Sequence, residues 1–407
     1  MNIIIINDHG SIVGGASQVA ISSLNEIAKR GHKVTFISSV PPLESTINLN
    51  IIKSINFNLF DLNSNGNKIF KIFSGIWSFK IKRKIRLILK SYDTNDTIIH
   101  IHCWNKSLTS STLSEIDNRG FKFVITLHDY FAVCPNGALY NYNTHKHCQL
   151  KPMSLSCLFS NCDSRNYAIK LWRYIRHFIQ YTFTVIPKKK NNYVSVSDYS
   201  EKIMRKFLFP SSIIWRINNP INIPKLPYSS KMQSRAFCFI GRLSTEKGGL
   251  LFAKAAANLK VPTIFIGNGA ESDLIASIYP QANMLGWQSR EKIIELIPNC
   301  LALVYPTLVH ETQGVAVLEA AALGVASIVS DECAASDLVI HGVTGLLFKR
   351  GDISSLEYSI QMLYKEPELA KKLGKNAYDM YWKNANSLEA HVDNLITCYK
   401  QILNKNT

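Results

Sequence analysis

Acidic side chains, long uncharged apolar runs and internal repeats are all scarce in this 407-residue chain. The absence of repeats excludes fibrous and solenoid architectures, and an apolar fraction of 46% excludes a disordered chain. The longest nearly uncharged run, residues 314–330, contains Glu319 and Gly324 and therefore predicts a buried helix and strand rather than a membrane span. The N-terminal apolar run is too short for a signal peptide, which predicts a cytoplasmic protein whose nine cysteines are mostly reduced.

Basic residues outnumber acidic ones by 46 to 29, and the excess lies in the first half. Residues 1–222 hold 28 basic and 12 acidic side chains, whereas residues 223–407 hold 18 and 17. Two stretches without any acid, residues 68–90 and 165–190, combine cations with aromatic residues (Phe70, Phe73, Trp77, Phe79, Trp172, Tyr174, Phe178). This composition favours binding to the anionic surface of the cell membrane, at its inner face. A solvated basic face and a nucleic-acid surface are the alternatives, and no nucleic-acid-binding motif supports the latter.

Short apolar strands alternate with helical segments along both halves of the chain. The predicted strands are residues 3–7, 33–39, 97–102, 122–127, 193–197, 237–240, 263–266, 282–285, 301–305 and 325–330. Residues 218–233 are rich in Pro, Asn and Ser and predict a linker. The pattern predicts an α/β protein with two tandem Rossmann-like, doubly wound domains, residues 1–222 and 223–385, facing a central cleft. The C-terminal helix, residues 386–407, is expected to pack back on the first domain.

The strongest chemical motif is a pair of glutamates, Glu311 and Glu319, that follows a predicted strand. Gly314 and Val315 begin the helix between them, and a helix N-terminus favours a phosphate or a developing anion. Glu319 lies in the helix among apolar neighbours, so its carboxylate needs a partner, and a ribose diol is one candidate. The alternative is an ordinary N-terminal charge followed by a surface glutamate.

A second motif places two cations after another predicted strand. Gly241 and Arg242 form a turn that leads to Lys247 at a helix start. Two cations at the carboxyl end of a strand can hold a diphosphate through charge-assisted hydrogen bonds. The alternative is a pair of ordinary loop cations. The presence of the glutamate motif in the same half of the chain favours the diphosphate site over this alternative.

Two glycine turns and one histidine complete the set of candidate positions. Gly14 and Gly15 follow the first strand, and Gly267 begins a tight turn after a later one. The Gly14-Gly15 turn matches neither G-x-G-x-x-G nor the P-loop pattern, which disfavours a nicotinamide enzyme and an NTPase. His128 ends a strand of the basic half, where it faces a cleft or serves as a satisfied core histidine.

Together these motifs resemble the family-4 retaining glycosyltransferases, which have the GT-B fold. The resemblance extends from Gly14 to the Thr344-Gly345-Leu346 segment, and residues 128–137 resemble a branch associated with bacterial surface-polysaccharide assembly. It implies transfer of a hexose from a UDP- or GDP-sugar to a lipid-linked or saccharide acceptor, as in O-antigen or capsule synthesis. Gln313 is a departure, because the family commonly has an aromatic residue there.

The resemblance also implies a role for each motif. Arg242 and Lys247 would neutralise the donor diphosphate, and Glu319 would bind the nucleotide ribose. Glu311 would lie beside the donor sugar, and His128 would reach the reacting sugar. The remaining donor-binding positions are Gly15, which approaches the diphosphate from the other domain, the turns at Gly241 and Gly267, and the backbone of Gln313, Gly314 and Val315.

The chemistry expected of these residues needs no metal. The sequence has no Asp-x-Asp motif, so cations and backbone amides would stabilise the leaving diphosphate in place of a metal ion. A front-face displacement is favoured, because no residue is an obvious covalent nucleophile. The rival functions are a sugar-nucleotide epimerase, a phosphorylase on the same fold and a non-catalytic basic surface-binding protein.

Four cysteines lie close together in the first half of the sequence: Cys134, Cys148, Cys157 and Cys162. Four thiols are able to hold a structural zinc ion, but these spacings lack the paired C-x2–4-C pattern. Free thiols in a folded loop are therefore favoured, with zinc as the alternative.

Overall fold

The computed structural model describes residues 1–59, 72–228 and 234–404. These residues form two compact units. The first unit contains Met1–Asn143, Cys148–Pro220 and the chain from Ser387 onward. The second contains the short segment Thr144–His147 and the long segment Ile221–Asn386.

Residues 1–220 contain nine strands and six longer helices in their described part. The strands are β1 (Asn2–His9), β2 (Lys33–Val40), β3 (Ile52–Asn56), β4 (Thr97–Ile101), β5 (Lys122–Thr126), β6 (Tyr140–Asn141), β7 (Lys146–His147), β8 (Asn192–Ser195) and β9 (Ile213–Arg216). The helices are α1 (Gly15–Lys29), α2 (Phe79–Leu89), α3 (Ser110–Asn118), α4 (Leu155–Phe159), α5 (Tyr167–Phe183) and α6 (Asp198–Arg205).

The rest of the described chain continues this alternation. Its strands are β10 (Phe237–Ile240), β11 (Thr263–Ile266), β12 (Asn283–Gly286), β13 (Ala302–Tyr305), β14 (Ser327–Ser330) and β15 (Gly345–Phe348). Its helices are α7 (Gly249–Leu259), α8 (Ser272–Ile278), α9 (Arg290–Leu296), α10 (Val315–Ala322), α11 (Ile353–Lys365), α12 (Pro367–Lys383) and α13 (Leu388–Asn404). Three 3-10 turns cover Thr245–Lys247, Ile297–Asn299 and Ala334–Leu338.

The first unit is built on a seven-stranded parallel sheet of order β3-β2-β1-β4-β5-β8-β9. Strand β1 lies at its centre because its four isoleucines, Ile3 to Ile6, are fully buried on both faces. Ile6 pairs with Ile37 on one side and with Ile101 on the other. The strand order reverses between β1 and β4, which is the point where such sheets bind ligands at their carboxyl ends.

Helix α13 completes the core of the first unit although it is the last helix in the sequence. Val392, Leu395 and Tyr399 are fully buried in one cluster with Ile3 of β1 and Leu24 of α1. A set of polar contacts fixes the helix along its length: Arg30 with Asp393, His391 with Ser23, and Lys122 with the carbonyl oxygen of Leu403.

The second unit repeats the design with a six-stranded parallel sheet of order β12-β11-β10-β13-β14-β15. Its apolar core includes Phe237, Phe252 and Phe265, all fully buried. The strand order reverses between β10 and β13, so the loops after these two strands meet at the ligand-binding edge of the sheet.

The predicted α/β architecture is confirmed, with all ten predicted strands present to within two residues. The sequence did not predict β3, β9, β15 or the short β6–β7 hairpin. Strands β3, β9 and β15 are edge strands of their sheets, and in β3 (IKSIN) only Ile52 is buried and polar residues interrupt the apolar run. Edge strands of this kind carry a weak hydrophobic signal.

Candidate active site

The loop after β10 carries the two predicted cations, Arg242 and Lys247. The guanidinium Nη2 of Arg242 donates to Oε1 of Glu246 at 2.6 Å, and its Nε donates to the hydroxyl of Ser244 at 3.3 Å. The Arg242 side chain is nevertheless 65% exposed, so it remains accessible to an anion. Glu246 is itself buried, and its carbonyl oxygen accepts from the backbone N–H of Leu308.

The loops after β10 and β13 are in direct backbone contact. Gly248 has a φ of +73°, and a Cβ at this position would lie 2.0 Å from the carbonyl oxygen of Pro306. This close approach brings the Lys247 ammonium into an ion pair with the Glu311 carboxylate. The hydroxyl of Thr307 donates to the same carboxylate at 3.2 Å. The two predicted motifs therefore meet in one place, with Lys247 and Glu311 as the direct contact.

Helix α10 begins at Val315, four residues after Glu311, close to the predicted start at Gly314 and Val315. Its N-cap, Gly314, has a φ of +132°, and a Cβ there would lie 2.5 Å from the Cβ of Ala335. The first N–H groups of a helix have no intrahelical acceptor, so the backbone from Val315 onward presents donors to an anion. Gln313 is buried and its side-chain oxygen has no hydrogen-bond partner within the described ranges.

Glu319 has the partner that its apolar surroundings require, and that partner is Arg290. Nη2 of Arg290 lies 3.0 Å from Oε1 of Glu319, although at an angle that does not make a hydrogen bond. Burial raises the pKa of the Glu319 carboxyl, and the Arg290 charge opposes this rise. Arg290 was not predictable from the sequence, because it lies on α9, 29 positions before Glu319, and is part of no recognisable motif.

The glycine turns at Gly241 and Gly267 pack against each other. Gly267 has a φ of +133°, and a Cβ there would lie only 1.9 Å from the carbonyl oxygen of Gly241. Gly269 is equally close, at 2.0 Å, to the carbonyl oxygen of Leu243. These glycines allow the loop after β11 to support the backbone that carries Arg242.

Gly15 and His128 belong to the first unit, at the carboxyl ends of β1 and β5. Gly14 caps α1 in extended conformation, and Cβ atoms added at Gly14 or Gly15 would meet no atom within 4 Å. This open backbone is compatible with the close approach of a phosphate. His128 is half-buried, and its Nε2 lies 2.9 Å from Nδ1 of His102.

Asp8 is a further polar residue at this edge that the sequence did not single out. It is fully buried at the end of β1 and accepts from the backbone N–H groups of Lys106, Ser107 and Leu108 at 2.8–2.9 Å. Burial raises its pKa in spite of these three bonds. Asp8 thereby fixes the loop that follows β4 against the end of β1.

The cysteines of the first unit do not assemble a metal site. Within the described ranges, no three His, Cys, Asp or Glu side chains come together in a way that could hold a metal ion. All nine cysteines are free thiols, and burial raises the pKa of Cys134 to about 12 and that of Cys162 to about 11. The structure gives the zinc alternative no support.

The two basic stretches form helices that expose apolar side chains. Residues 68–71 of the first stretch, including Phe70, lie outside the described residues, but α2 is fully described. On α2, Phe79 and Leu87 are exposed together with Lys80, Arg83 and Lys90. None of the helices in the described ranges is both long and apolar enough to cross a bilayer.

Helix α5 presents a continuous apolar stripe beside this cationic helix. Its exposed residues follow a helical period: Tyr167, Leu171, Ile175 and Phe178, with Phe183 at the end. Trp77 joins the two elements, since its ring lies 5.6 Å from that of Phe183 and 6.4 Å from that of Phe79. Trp172 and Tyr174, also expected at this surface, instead point their polar atoms to the carbonyl oxygens of Ile72 and Met153.

Comparison with known proteins agrees with this architecture. Residues 13–224 match the family described as Glycosyltransferase Family 4, and residues 227–380 match Glycosyl transferases group 1. Over 229 residues the chain is 25% identical to the D-rhamnosyltransferase WbpZ of Pseudomonas aeruginosa, a match that covers 52% of this chain and 58% of that protein.

Solved structures show the same fold along the whole chain. Sucrose-phosphate synthase from Thermosynechococcus elongatus superimposes with a TM-score of 0.74 at 15% identity, covering 99% of both chains. Anabaena Alr3699/HepE, solved in complex with UDP and glucose, gives 0.66 at 15% identity and covers 98% of this chain and 100% of its own. The fold is therefore that of the GT-B glycosyltransferases. The chain belongs to the family described as Glycosyltransferase Family 4.

Proposed function

We propose that this enzyme moves a hexose from a nucleoside-diphosphate sugar to a lipid-linked or saccharide acceptor, with retention of configuration, in the assembly of a surface polysaccharide of O-antigen or capsule type. The main support is the site formed by the loop that carries Arg242 and Lys247, whose ammonium pairs with Glu311, together with the N-terminus of α10. It offers two cations and free amides to a diphosphate, and a carboxylate to the sugar hydroxyls. The likeness of residues 128–137 to the surface-polysaccharide branch supports the pathway type.

The proposed mechanism follows from where charge develops. As the bond between the sugar C1 and the phosphate oxygen breaks, the leaving diphosphate gains negative charge, which Lys247, Arg242 and the α10 amides stabilise. The acceptor hydroxyl forms its bond to C1 on the same face, and its proton passes to the departing phosphate oxygen. The protein residues supply the stabilising charge, so the proposed reaction is metal-independent.

The first test measures donor binding on wild type and on a Glu319→Ala variant. A UDP- or GDP-sugar at 100 times its dissociation constant is expected to stabilise wild type by about 2.7 kcal/mol in a thermal-shift assay. The variant is expected to lose most of this ligand-induced shift, because the ribose loses its carboxylate partner. Glu368→Ala is the matched control, since Glu368 is an exposed glutamate on α12.

The ligand-induced shift is the quantity to compare, because Glu319→Ala also leaves Arg290 without its ion-pair partner and changes the starting stability. An unchanged shift in the variant would contradict the ribose role of Glu319. Product analysis then separates the rival activities. An epimerase would release nucleotide without any acceptor, and a phosphorylase would require inorganic phosphate. A non-catalytic binder would tolerate Glu311→Ala and Arg242→Ala.

The membrane is proposed as the second partner, with the protein peripheral at the cytoplasmic face. The exposed stripe of α5 and the exposed cations of α2 adjoin through Trp77. Apolar side chains rimmed by cations suit a bilayer surface, where the rings enter the interface and the cations meet anionic headgroups. A solvated face would carry the cations without the exposed rings of Phe79, Phe178 and Phe183.

Vesicle binding tests this surface. The triple variant Lys80→Gln/Arg83→Gln/Lys90→Gln is expected to bind phosphatidylglycerol vesicles about 100-fold more weakly, since each cation contributes about 1 kcal/mol near an anionic surface. A variant with the same loss of charge in the second unit, Lys254→Gln/Lys349→Gln/Lys372→Gln, serves as control and is expected to retain binding. Equal vesicle binding by the two triple variants would refute the proposal that the surface of α2 and α5 binds the membrane.

A further inference from the structure

Three histidines form a row at the candidate site of the first unit, with His100 and His102 buried and His128 half-buried. His100 lies on β4, with Nδ1 2.6 Å from the hydroxyl of Tyr399 and Nε2 2.7 Å from that of Thr126. The ring of His102 packs against that of His100, with the centroids 4.1 Å apart and the ring planes tilted by 38°. His102 Nδ1 then reaches His128 Nε2 at 2.9 Å. His128 is thus held by a ring that is itself fixed within the core.

The contact between His102 and His128 contains a single proton. Burial lowers the pKa of His128 to about 3 and that of His102 well below its ordinary value, so both rings are neutral near pH 7. A neutral imidazole carries one N–H and one bare nitrogen, and a nitrogen–nitrogen hydrogen bond requires one of each. The direction of this one bond therefore fixes the tautomer of both rings.

The surroundings of His102 decide the direction. His102 is 2% exposed, and its Nε2 is buried without a hydrogen-bond partner in the described part of the chain. If His128 were the donor, the proton of His102 would sit on that nitrogen as a buried N–H without an acceptor, an arrangement that folded proteins avoid. If His102 donates from Nδ1, no N–H of that ring is left without an acceptor.

We propose that His102 is a positioning residue that donates from Nδ1 to His128 Nε2 and so holds His128 as the tautomer protonated on Nδ1. His128 then acts in the proposed transfer as a neutral hydrogen-bond donor, through Nδ1–H, to a hydroxyl or phosphate oxygen. It does not act as a general base. The part of this inference that concerns catalysis rests on the proposed function, whereas the tautomer is a property of the protein alone.

The direct test is nitrogen NMR of protein labelled with 15N-histidine, without substrate. In wild type we expect His128 to show a protonated Nδ1 and a bare Nε2. In His102→Phe, which keeps a ring but has no donor, we expect a mixture of tautomers. His102→Asn, whose amide can donate from a similar position, is expected to restore the single tautomer. The control is His177→Phe, which alters another buried histidine, on α5, and is expected to leave His128 unchanged.

A wild-type His128 protonated on Nε2, or the same single tautomer in His102→Phe, would overturn the proposal. The kinetic arm uses the same variants. His102→Phe is expected to lower kcat by about 10²-fold, as misplacement of a reacting group does, with the dissociation constant of the donor within twofold. His102→Asn is expected to recover most of the loss. If no donor is turned over at all, the proposed function fails while the NMR result still judges the tautomer.

Discussion

A Lys247→Ala enzyme is expected to bind its donor and to turn over about 10²–10³-fold more slowly, the usual loss when one group that stabilises a developing anion is removed. Lys247 is the less exposed of the two predicted cations, 28% against 65% for Arg242, and its ammonium pairs with Glu311. Because the diphosphate gains charge during bond cleavage, the lost interaction weighs more in the transition state than in the ground state. The measurement is kcat at saturating donor.

Two further variants make this result interpretable. Lys254→Ala removes an exposed lysine on α7, the helix that follows Lys247, and is expected to leave kcat unchanged. Lys247→Arg keeps the charge in a different shape and is expected to recover part of the activity. Melting temperatures show whether the loss of the ion pair with Glu311 alters folding. A Lys247→Ala enzyme that is folded and has wild-type kcat would exclude the proposed role of Lys247.

Gly267→Ala is expected to destabilise the second unit by about 3 kcal/mol or more. The added Cβ would stand 1.9 Å from the carbonyl oxygen of Gly241, and the φ of +133° is unfavourable for any residue with a side chain. Overpacking costs about 1–3 kcal/mol, and a strained backbone costs a similar amount. Hydrogen exchange of the β10 and β11 amides reports on this unit separately from the first.

Gly14→Ala is the matched control for Gly267→Ala. Gly14 is extended, and its added Cβ would meet no atom within 4 Å. Its effect on the free energy of unfolding is expected to stay within about 0.5 kcal/mol, as for most open surface positions. Equal effects of the two alanines would mean that the loops after β10 and β11 can separate at little cost.

The central strands could be predicted because a continuous apolar run is visible in the sequence of each strand by itself. The Ile3–Ile6 run can only be a strand buried on both faces or part of a buried helix, and the Gly14-Gly15 turn that follows selects the strand. The edge strands β3 and β9 were missed because their stability comes from pairing with β2 and β8, which the local pattern does not contain.

The residues of the candidate site could be predicted only where they belong to a recognisable local sequence motif. Lys247 and Glu311 each stand in a recognisable loop, and their meeting follows from the reversal of strand order between β10 and β13. Arg290 and His102 could not be recognised in this way. Arg290 acquires its importance from Glu319, and His102 from His128, through contacts that exist only after the sheet has formed.

The position of α13 also sets the order in which the protein can be made. Residues 388–404 leave the ribosome after the whole second unit, yet they supply Val392, Leu395 and Tyr399 to the core around Ile3. Until these residues are synthesised, the α1 side chains of this cluster lack the cover that α13 supplies. The hydroxyl that anchors His100 arrives with the same helix. The synthesis of α13 is thus needed before the contact of Tyr399 with His100 can complete the histidine row beside the candidate site.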